Sequence, residues 1–274
     1  MKNNKTYINL LGAAVVAASA WSLTSCDKVD EDDRLIYVAP ASVSGHVLIE
    51  DFTGQSCINC PAASTIIAEL QETYGHDNVI AVGLYSGPFG RNTKGTLYPL
   101  TTETGNYYYD NRGIEAQPCA TINRGAASYN TAEWATEVRD ALQRESSISL
   151  SATAEVANLA NNITISVNFG SSQAYSDAKL NVWITEDNVT SWQLLPGSKT
   201  DKEYIHNHVF RTALSALGGD NISVEANEEG TATYTLDLSG VDPEGEWAID
   251  NLSAVIFVAN GDGVLQVISE KINN

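Results

Sequence analysis

The amino-acid sequence predicts an α/β domain followed by an all-β sandwich domain. Up to about residue 145, short apolar runs typical of buried strands alternate with stretches whose apolar residues recur at helical spacing. From residue 146 onwards the helical pattern fades, and short segments of alternating polarity are separated by Gly, Asn and Asp. Without the signal peptide expected at residues 1–25, about 249 of the 274 residues remain, which suits one large or two modest domains, and the change of pattern near residue 146 favours two.

The first half alternates strands with helices. The segments at residues 46–52 and 78–85 are almost continuously apolar, as expected of strands buried on both faces. Ile66, Ile67 and Leu70 recur at helical spacing before Gly75, which ends the first helix. This alternation predicts a layered sheet that carries helices on its faces. The segments are HVLIEDF (46–52), PAASTIIAELQETYG (61–75), NVIAVGLY (78–85), QPCATINR (117–124) and TAEWATEVRDALQRE (131–145).

The second half has the pattern of antiparallel strands. Ile163, Ile165, Val167 and Phe169 alternate with polar residues and therefore share one face of a strand. Short alternating strands with turn residues between them predict a sandwich of two sheets. The segments are SISLSATAEV (147–156), NITISVNFG (162–170), KLNVWITED (179–187), TATYTLDLSG (231–240), SAVIFVANGDG (253–263) and LQVISEKI (265–272).

The N-terminus has the layout of a secretory signal. Lys2 and Lys5 precede an uncharged apolar run at residues 8–21, which is shorter than the roughly 20 residues of a membrane span. The run leads into LTSC, which resembles a bacterial lipoprotein box ending at Cys26. We therefore expect a signal peptide at residues 1–25 and a lipid on Cys26 that binds the protein to a membrane. The alternative is an ordinary signal followed by an incidental cysteine.

An acidic segment follows Cys26. Its DKVDEDDR run cannot bury apolar surface, so we expect residues 26–42 to be a solvated tether. Such a run also resembles the surface-export signals of Bacteroidetes lipoproteins. The whole chain carries a formal charge of -19, which excludes nucleic acid as a partner. The predicted domains after the tether are residues 43–145 and 146–274.

The segment GQSCINCPAAS (54–64) holds two of the four cysteines, Cys57 and Cys60. A strand, the link TGQS and a helix starting around Cys57 would place the first sulfur at a helix N-terminus, which favours a thiolate. Pro61 suits the first turn of that helix. A zinc site would need two more ligands at similar spacing, whereas only Cys119 remains once Cys26 carries lipid. We therefore expect a redox centre or a structural disulfide, and no metal or cofactor.

These residues resemble the active site of the thioredoxin superfamily. The resemblance implies that Asp51, six positions before Cys57, accepts a proton from Cys60. It also implies a cis peptide bond at Pro118, after Gln117, beside the cysteine pair. The catalytic residues would then be Cys57, Cys60, Asp51 and Pro118. The match is incomplete, because Ser56 replaces an aromatic residue and Ile58-Asn59 replace Gly-Pro between the cysteines.

The whole layout resembles the twenty-eight-kilodalton outer-membrane lipoprotein family of Bacteroidetes. The matching features are the lipoprotein box, DFTG, CINCP, QPCATINR and EYIHNHVFR. The resemblance implies an α/β thioredoxin-like domain followed by an all-β immunoglobulin-like sandwich. It also implies an outer membrane lipoprotein that could be exposed at the cell surface.

Two further features have more than one interpretation. Cys119 is either a small buried hydrophobic residue or, beside Pro118, the partner in an alternative disulfide. His206 and His208 flank Asn207, so on a strand both imidazoles would share one face. Because no third ligand is evident, half-buried histidines that bond neighbouring loops are a better interpretation than a metal site.

Two functions follow from the sequence, beside a third in which the protein is a subunit of a larger envelope assembly with neither activity. In the first, Cys57 attacks a disulfide of an envelope protein and Cys60 resolves the mixed disulfide, with protein thiols or disulfides as substrates. In the second, the protein is a surface binding or adhesion module whose Cys57–Cys60 disulfide is structural. A disulfide across so short a loop gives little entropic stabilisation, and a structural disulfide needs no carboxylate such as Asp51 behind it. Both points favour thiol chemistry.

Overall fold

The computed structural model describes residues 45–91, 99–157, 162–242 and 245–273. The predicted signal peptide, the lipid anchor at Cys26 and the acidic tether lie outside these residues. Within them, no helix is both long and apolar enough to cross a membrane.

Strands dominate the described chain. The helices are α1 (Cys60–Tyr74), α2 (Gly87–Arg91), α3 (Glu103–Asn111), α4 (Trp134–Leu142) and α5 (Leu238–Val241), with a 3-10 turn at Ile249–Asn251. The strands are β1 (Val47–Thr53), β2 (Val79–Tyr85), β3 (Cys119–Ile122), β4 (Ala127–Ser128), β5 (Ile148–Ala157), β6 (Asn162–Ser171), β7 (Lys179–Glu186), β8 (Val189–Leu195), β9 (Lys199–His206), β10 (Val209–Ala213), β11 (Asp220–Asn221), β12 (Glu229–Asp237), β13 (Leu252–Asn260) and β14 (Gly263–Lys271).

One mixed sheet of nine strands runs through both halves of the chain. Its order is β14-β13-β7-β10-β2-β1-β3-β4, and β11 pairs with β7. β2 is parallel to both β1 and β10, whereas the other pairs in the sheet are antiparallel. A second sheet has the order β12-β6-β5, and β8 and β9 form a separate hairpin.

Strands β7 and β13 are buried on both faces. On one face, Val182 of β7 and Ile256 of β13 pack against the three-stranded sheet, where Ile163 and Ile165 of β6 are also fully buried. On the other face, Trp183 of β7 joins a second core with side chains from β1 and β2, including Phe52 and Leu84. Two layers of structure therefore cover these strands.

The prediction of an α/β thioredoxin-like domain followed by an all-β immunoglobulin-like sandwich is wrong. Strands from both halves share the nine-stranded sheet, with Val209 of β10 beside Gly83 of β2. The described residues therefore hold no distinct thioredoxin-like domain, and all of them belong to one compact unit. The physical reason is that β7 and β13 have no solvated face, so the strands and helices of the first half must cover them. The boundary between residues 145 and 146 stays a prediction and falls between α4 and β5.

A buried carboxylate joins the two halves. Glu50 of β1 is fully buried, and its carboxylate accepts hydrogen bonds from Thr121 Oγ1 at 2.6 Å and Arg124 Nε at 3.1 Å. The Arg124 guanidinium also lies 5.4 Å from the ring centroid of Trp183 and 4.5 Å from that of Phe257. Because Trp183 and Phe257 belong to β7 and β13, this ion pair fixes β1 against the C-terminal strands.

Candidate functional site

The C-x-x-C segment follows the end of β1. The structure pairs Cys57 with Cys60 in a disulfide with an S–S distance of 2.05 Å. Helix α1 begins at Cys60, with Asn59 as its N-cap residue and Pro61 in its first turn. The sequence placed this start near Cys57, but the Cys57 amide donates to the Gly54 carbonyl at 3.0 Å instead. Cys57 therefore lies in a turn before the helix.

Both cysteines are closed off from solvent. Cys57 and Cys60 are each 2% exposed, whereas Ile58 between them is 42% exposed. The turn therefore presents the Ile58 side chain to solvent and holds the disulfide inward. Gly54 at the start of the turn lies directly against the backbone of Phe89 in α2, where any side chain would clash.

The β8–β9 hairpin binds the backbone of this turn. The side-chain nitrogen of Gln193 donates to the Cys57 carbonyl at 2.9 Å, and the Leu194 amide donates to the Gln55 carbonyl at 2.8 Å. Hydrogen bonds also run from the turn to the hairpin. The side-chain nitrogen of Gln55 donates to Ser191 Oγ at 2.9 Å and to the Trp192 carbonyl at 3.1 Å. The hairpin and the C-x-x-C turn thus form one hydrogen-bonded, buried contact.

Pro118 lies directly before β3, beside the end of β1. The Gln117–Pro118 bond is cis. The Gln117 side-chain nitrogen donates to the carbonyls of Thr53 at 2.6 Å and Ser86 at 3.0 Å. Gln117 therefore connects the ends of β1 and β2.

Cys119 is a buried free thiol. It is fully buried in β3, opposite Phe52 of β1. Burial, and then the nearby charge of Asp51, raise the pKa of the Cys119 thiol to about 12. A thiol with so high a pKa carries almost no thiolate at neutral pH. Of its two predicted interpretations, the buried hydrophobic residue fits this environment.

Asp51 has an unusual environment for a carboxyl group. It is 5% exposed, and its Oδ1 atom has no hydrogen-bond partner among the described residues. Burial raises the pKa of the Asp51 carboxyl to about 7. The carboxyl group is therefore poised to change its charge near neutral pH.

Asp51 lines a cavity of about 190 Å³, which we call the Asp51 pocket. Strands β1 and β2, helix α1 and the chain from Tyr204 to His208 form its walls. The Tyr85 hydroxyl lies 2.8 Å from Nδ1 of His206. Burial, against hydrogen bonds to the backbone of Trp192 and Ser191, lowers the pKa of His206 to about 4. His206 is therefore neutral at physiological pH.

His206 and His208 have different partners. Nδ1 of His208 lies 3.0 Å from a carboxylate oxygen of Asp187, and Nε2 lies 3.0 Å from the side-chain oxygen of Gln71. The nitrogen of the Gln71 amide donates to the Val79 carbonyl, which fixes its oxygen towards His208. Both ring nitrogens of His208 therefore have hydrogen-bond partners. His208 has a positive φ of 56°, so β9 does not continue through it.

Sequence analysis missed several residues of this region. Gln55, Tyr85 and Gln193 were not singled out, because their partners lie more than 100 positions away in the chain. His206 is buried against Tyr85, and His208 is partly buried and contacts Asp187 and Gln71. Within the described part of the chain, no cluster of three or more His, Cys, Asp or Glu side chains could hold a metal ion.

The chain is similar to proteins of a known family and to two solved structures. The family model described as outer membrane protein Omp28 matches residues 105–274. No match is found among curated proteins.

Two solved structures are similar to the chain. HBP35 of Porphyromonas gingivalis aligns with a TM-score of 0.65 at 16% identity, covering 85% of this chain and 76% of its own. A domain of the outer membrane lipoprotein Omp28 from Porphyromonas gingivalis aligns with a TM-score of 0.33 at 22% identity, covering 46% of this chain and 96% of its own. At this identity the first alignment shows a shared fold.

Proposed function

Because the chain belongs to the Omp28 family of outer membrane proteins, we propose that it is a lipid-anchored binding protein with a structural disulfide. Cys26 carries the lipid, and the folded part is displayed at the cell surface, where it binds rather than transforms its partner. The sequence favoured thiol–disulfide exchange with envelope proteins. The environment of the cysteines supports the binding function instead.

The burial of the disulfide carries this proposal. Exchange begins when a thiolate attacks one sulfur along the S–S axis, so at least one sulfur must be accessible. Cys57 and Cys60 are each 2% exposed, and the β8–β9 hairpin is hydrogen-bonded to the backbone of their turn. A protein substrate would have to reach sulfurs that are almost closed off from solvent, in a turn whose backbone is held by the hairpin.

The Asp51 carboxyl does not require a redox function. Sequence analysis took a buried acid behind the cysteines as a sign of proton transfer. In the structure, Asp51 lines a cavity together with Tyr85 and His206. A buried acid at this position can therefore belong to a ligand pocket instead of a redox site. The disulfide can then be structural, because Asp51 is part of the pocket wall and need not exchange protons with Cys60.

The reduction potential of Cys57–Cys60 tests the proposal. The full chain in detergent would be equilibrated with glutathione mixtures and the thiols trapped with maleimide. A structural disulfide predicts a potential below about -300 mV, whereas a value above about -250 mV would support exchange with protein substrates. Reduction of a model disulfide substrate by the chain, at a rate above that of the C57S/C60S variant, would also contradict the proposal.

The anchor and the surface location need separate measurements. Metabolic labelling with a radioactive fatty acid should mark the wild-type chain and not the Cys26→Ala variant, which should leave the membrane fraction. Protease added to intact cells should degrade the anchored chain while a periplasmic marker survives. Labelling of the Cys26→Ala variant, or protection of the anchored chain from protease, would contradict this part of the proposal.

A further inference from the structure

The Asp51 pocket has the dimensions of a small-molecule site. Its volume of about 190 Å³ would hold about six water molecules at roughly 30 Å³ each. Ile67 of α1 and Ala81 of β2, both buried, supply apolar wall. The rings of Tyr85 and Tyr204 also line it. A ligand with a short apolar chain and one polar group would match this lining.

Two residues of the pocket wall, Asp51 and His206, each have a buried polar atom without a hydrogen-bond partner in the described part of the chain, and Asp51 is the one that can carry a charge at neutral pH. Asp51 is more than nine-tenths buried, and its Oδ1 has no hydrogen-bond partner within the described part of the chain. A buried polar atom left without a partner destabilises the folded protein. Asp51 also lines the pocket, so a ligand that donates a hydrogen bond to its carboxyl group would stabilise this buried acid.

No cation in the pocket wall compensates Asp51. The residues that line the pocket include neither lysine nor arginine. His206 is held neutral beside Tyr85, and the two ring nitrogens of His208 contact Asp187 and Gln71. The chain as a whole carries a formal charge of -19, which attracts cations. Aromatic faces such as those of Tyr85 and Tyr204 attract an ammonium group as well.

We propose that the Asp51 pocket binds a small organic ammonium ion, with the ammonium group on the Asp51 carboxylate and a short alkyl chain against Ile67 and Ala81. The pocket does not depend on whether Cys57–Cys60 is structural. The ligand site and the function of the disulfide therefore succeed or fail separately.

The affinity should depend on pH through Asp51. Burial raises the pKa of this carboxyl to about 7, and an ammonium ion binds only its ionised form. Affinity should fall about tenfold for each pH unit below 7, while an alkylamine with a pKa near 10 stays protonated. The titratable groups that face Asp51 or the pocket are Tyr85 from β2, Cys119 from β3, Tyr204 and His206 from β9, and His208 beyond β9.

The test compares n-butylammonium with its neutral isostere 1-butanol. Each would be titrated into the full chain in detergent at pH 8 and pH 6, with binding followed by NMR chemical shifts. We expect n-butylammonium to bind at least about tenfold more tightly than 1-butanol at pH 8, a difference of about 1.4 kcal/mol. At pH 6 we expect about a tenfold loss for n-butylammonium and no change for 1-butanol.

Three variants locate the binding. Asp51→Asn keeps the size of the side chain and should abolish the preference for the cation. Gly83→Ala should weaken both probes, because its new methyl group would lie in the pocket wall at 3.4 Å from the His208 carbonyl oxygen, an ordinary contact. Asp140→Asn on exposed α4 removes the same charge far from the pocket and should change nothing.

Each other outcome would overturn the proposal. These outcomes are equal affinity for the two probes, unchanged binding by Asp51→Asn, equal loss in Asp140→Asn, or no saturable binding of n-butylammonium. If Asp51→Asn failed to fold, the probe comparison, the pH dependence and the Gly83→Ala variant would still decide the matter.

Discussion

The side-chain nitrogen of Gln193 lies 2.9 Å from the carbonyl oxygen of Cys57. This bond joins a hairpin of the C-terminal half to the turn that holds the disulfide, across 136 positions of the chain. It holds the backbone of Cys57 against the β8–β9 hairpin.

Gln193→Ala should expose the disulfide to reductants. Loss of a buried hydrogen bond weakens the hairpin contact by about 1 kcal/mol, which increases transient opening about fivefold. The rate of reduction by a low concentration of dithiothreitol should rise by a similar factor. Gln173→Ala, at an exposed position, serves as the control. Equal rates for wild type and Gln193→Ala would show that the hairpin does not limit access.

The C57S/C60S variant should be folded and moderately less stable. Chain entropy predicts about 2 kcal/mol for a disulfide that closes so short a loop. The free energy of unfolding, measured in urea, should therefore fall by about this amount, and reduced wild type should match the variant. A change in the fold by circular dichroism, or no loss of stability, would contradict a structural role.

Asp51→Asn should stabilise the protein at high pH. Burial raises the pKa of Asp51 from 3.8 to about 7, so the unfolded chain is ionised where the folded chain prefers the neutral acid. The wild type therefore loses stability as pH rises from about 4 to 7. The variant should gain up to about 4 kcal/mol at pH 8, and the difference should vanish near pH 4.

Urea unfolding of both proteins across this pH range measures the difference. His206, with its pKa lowered to about 4, destabilises both proteins equally as pH falls from 6.5 to 4, so its effect cancels in the comparison. A constant difference between the two proteins at all pH values would show that Asp51 titrates normally.

The Asp187–His208 pair should stabilise the protein above pH 4. Burial alone would raise the pKa of Asp187, but the hydrogen bond and charge of His208 outweigh it and lower the pKa to about 2. The stabilisation is therefore complete above about pH 4 and is lost as pH falls towards 2. Asp187→Asn should cost about 1–2 kcal/mol at pH 5. A double-mutant cycle with His208→Ala should recover most of this as interaction energy.

Glu50→Gln should destabilise the protein more than any surface substitution. It leaves Arg124 without its anion in a buried setting, which costs about 3 kcal/mol. Glu69→Gln, on the exposed side of α1, should change stability by less than about 0.5 kcal/mol. Urea unfolding compares the two. Similar losses in the free energy of unfolding for the two variants would mean that Glu50 does not fix β1 to the C-terminal strands.

The sequence by itself determined many of the individual elements, although α3 and β8 to β10 were not among the predicted segments. Alternating apolar residues placed Ile163, Ile165 and Val167 on the buried face of β6, and Pro61 and Gly75 bracketed α1. These signals are local, because the spacing of apolar residues follows the period of the element itself. The Cys57–Cys60 pair was likewise visible as a motif.

Only the tertiary structure decided how the elements combine. Val182 and Trp183 are adjacent in sequence but lie in different cores, because two layers cover β7. The continuous apolar runs of β7 and β13 indicate that both faces of these strands are covered. They do not specify which strands lie beside them. The contacts of Gln193 with Cys57 and of Tyr85 with His206 join residues more than 100 positions apart. Side-chain spacing within one element cannot encode such pairs, so the closed disulfide and the Asp51 pocket emerge only when the sheet is assembled.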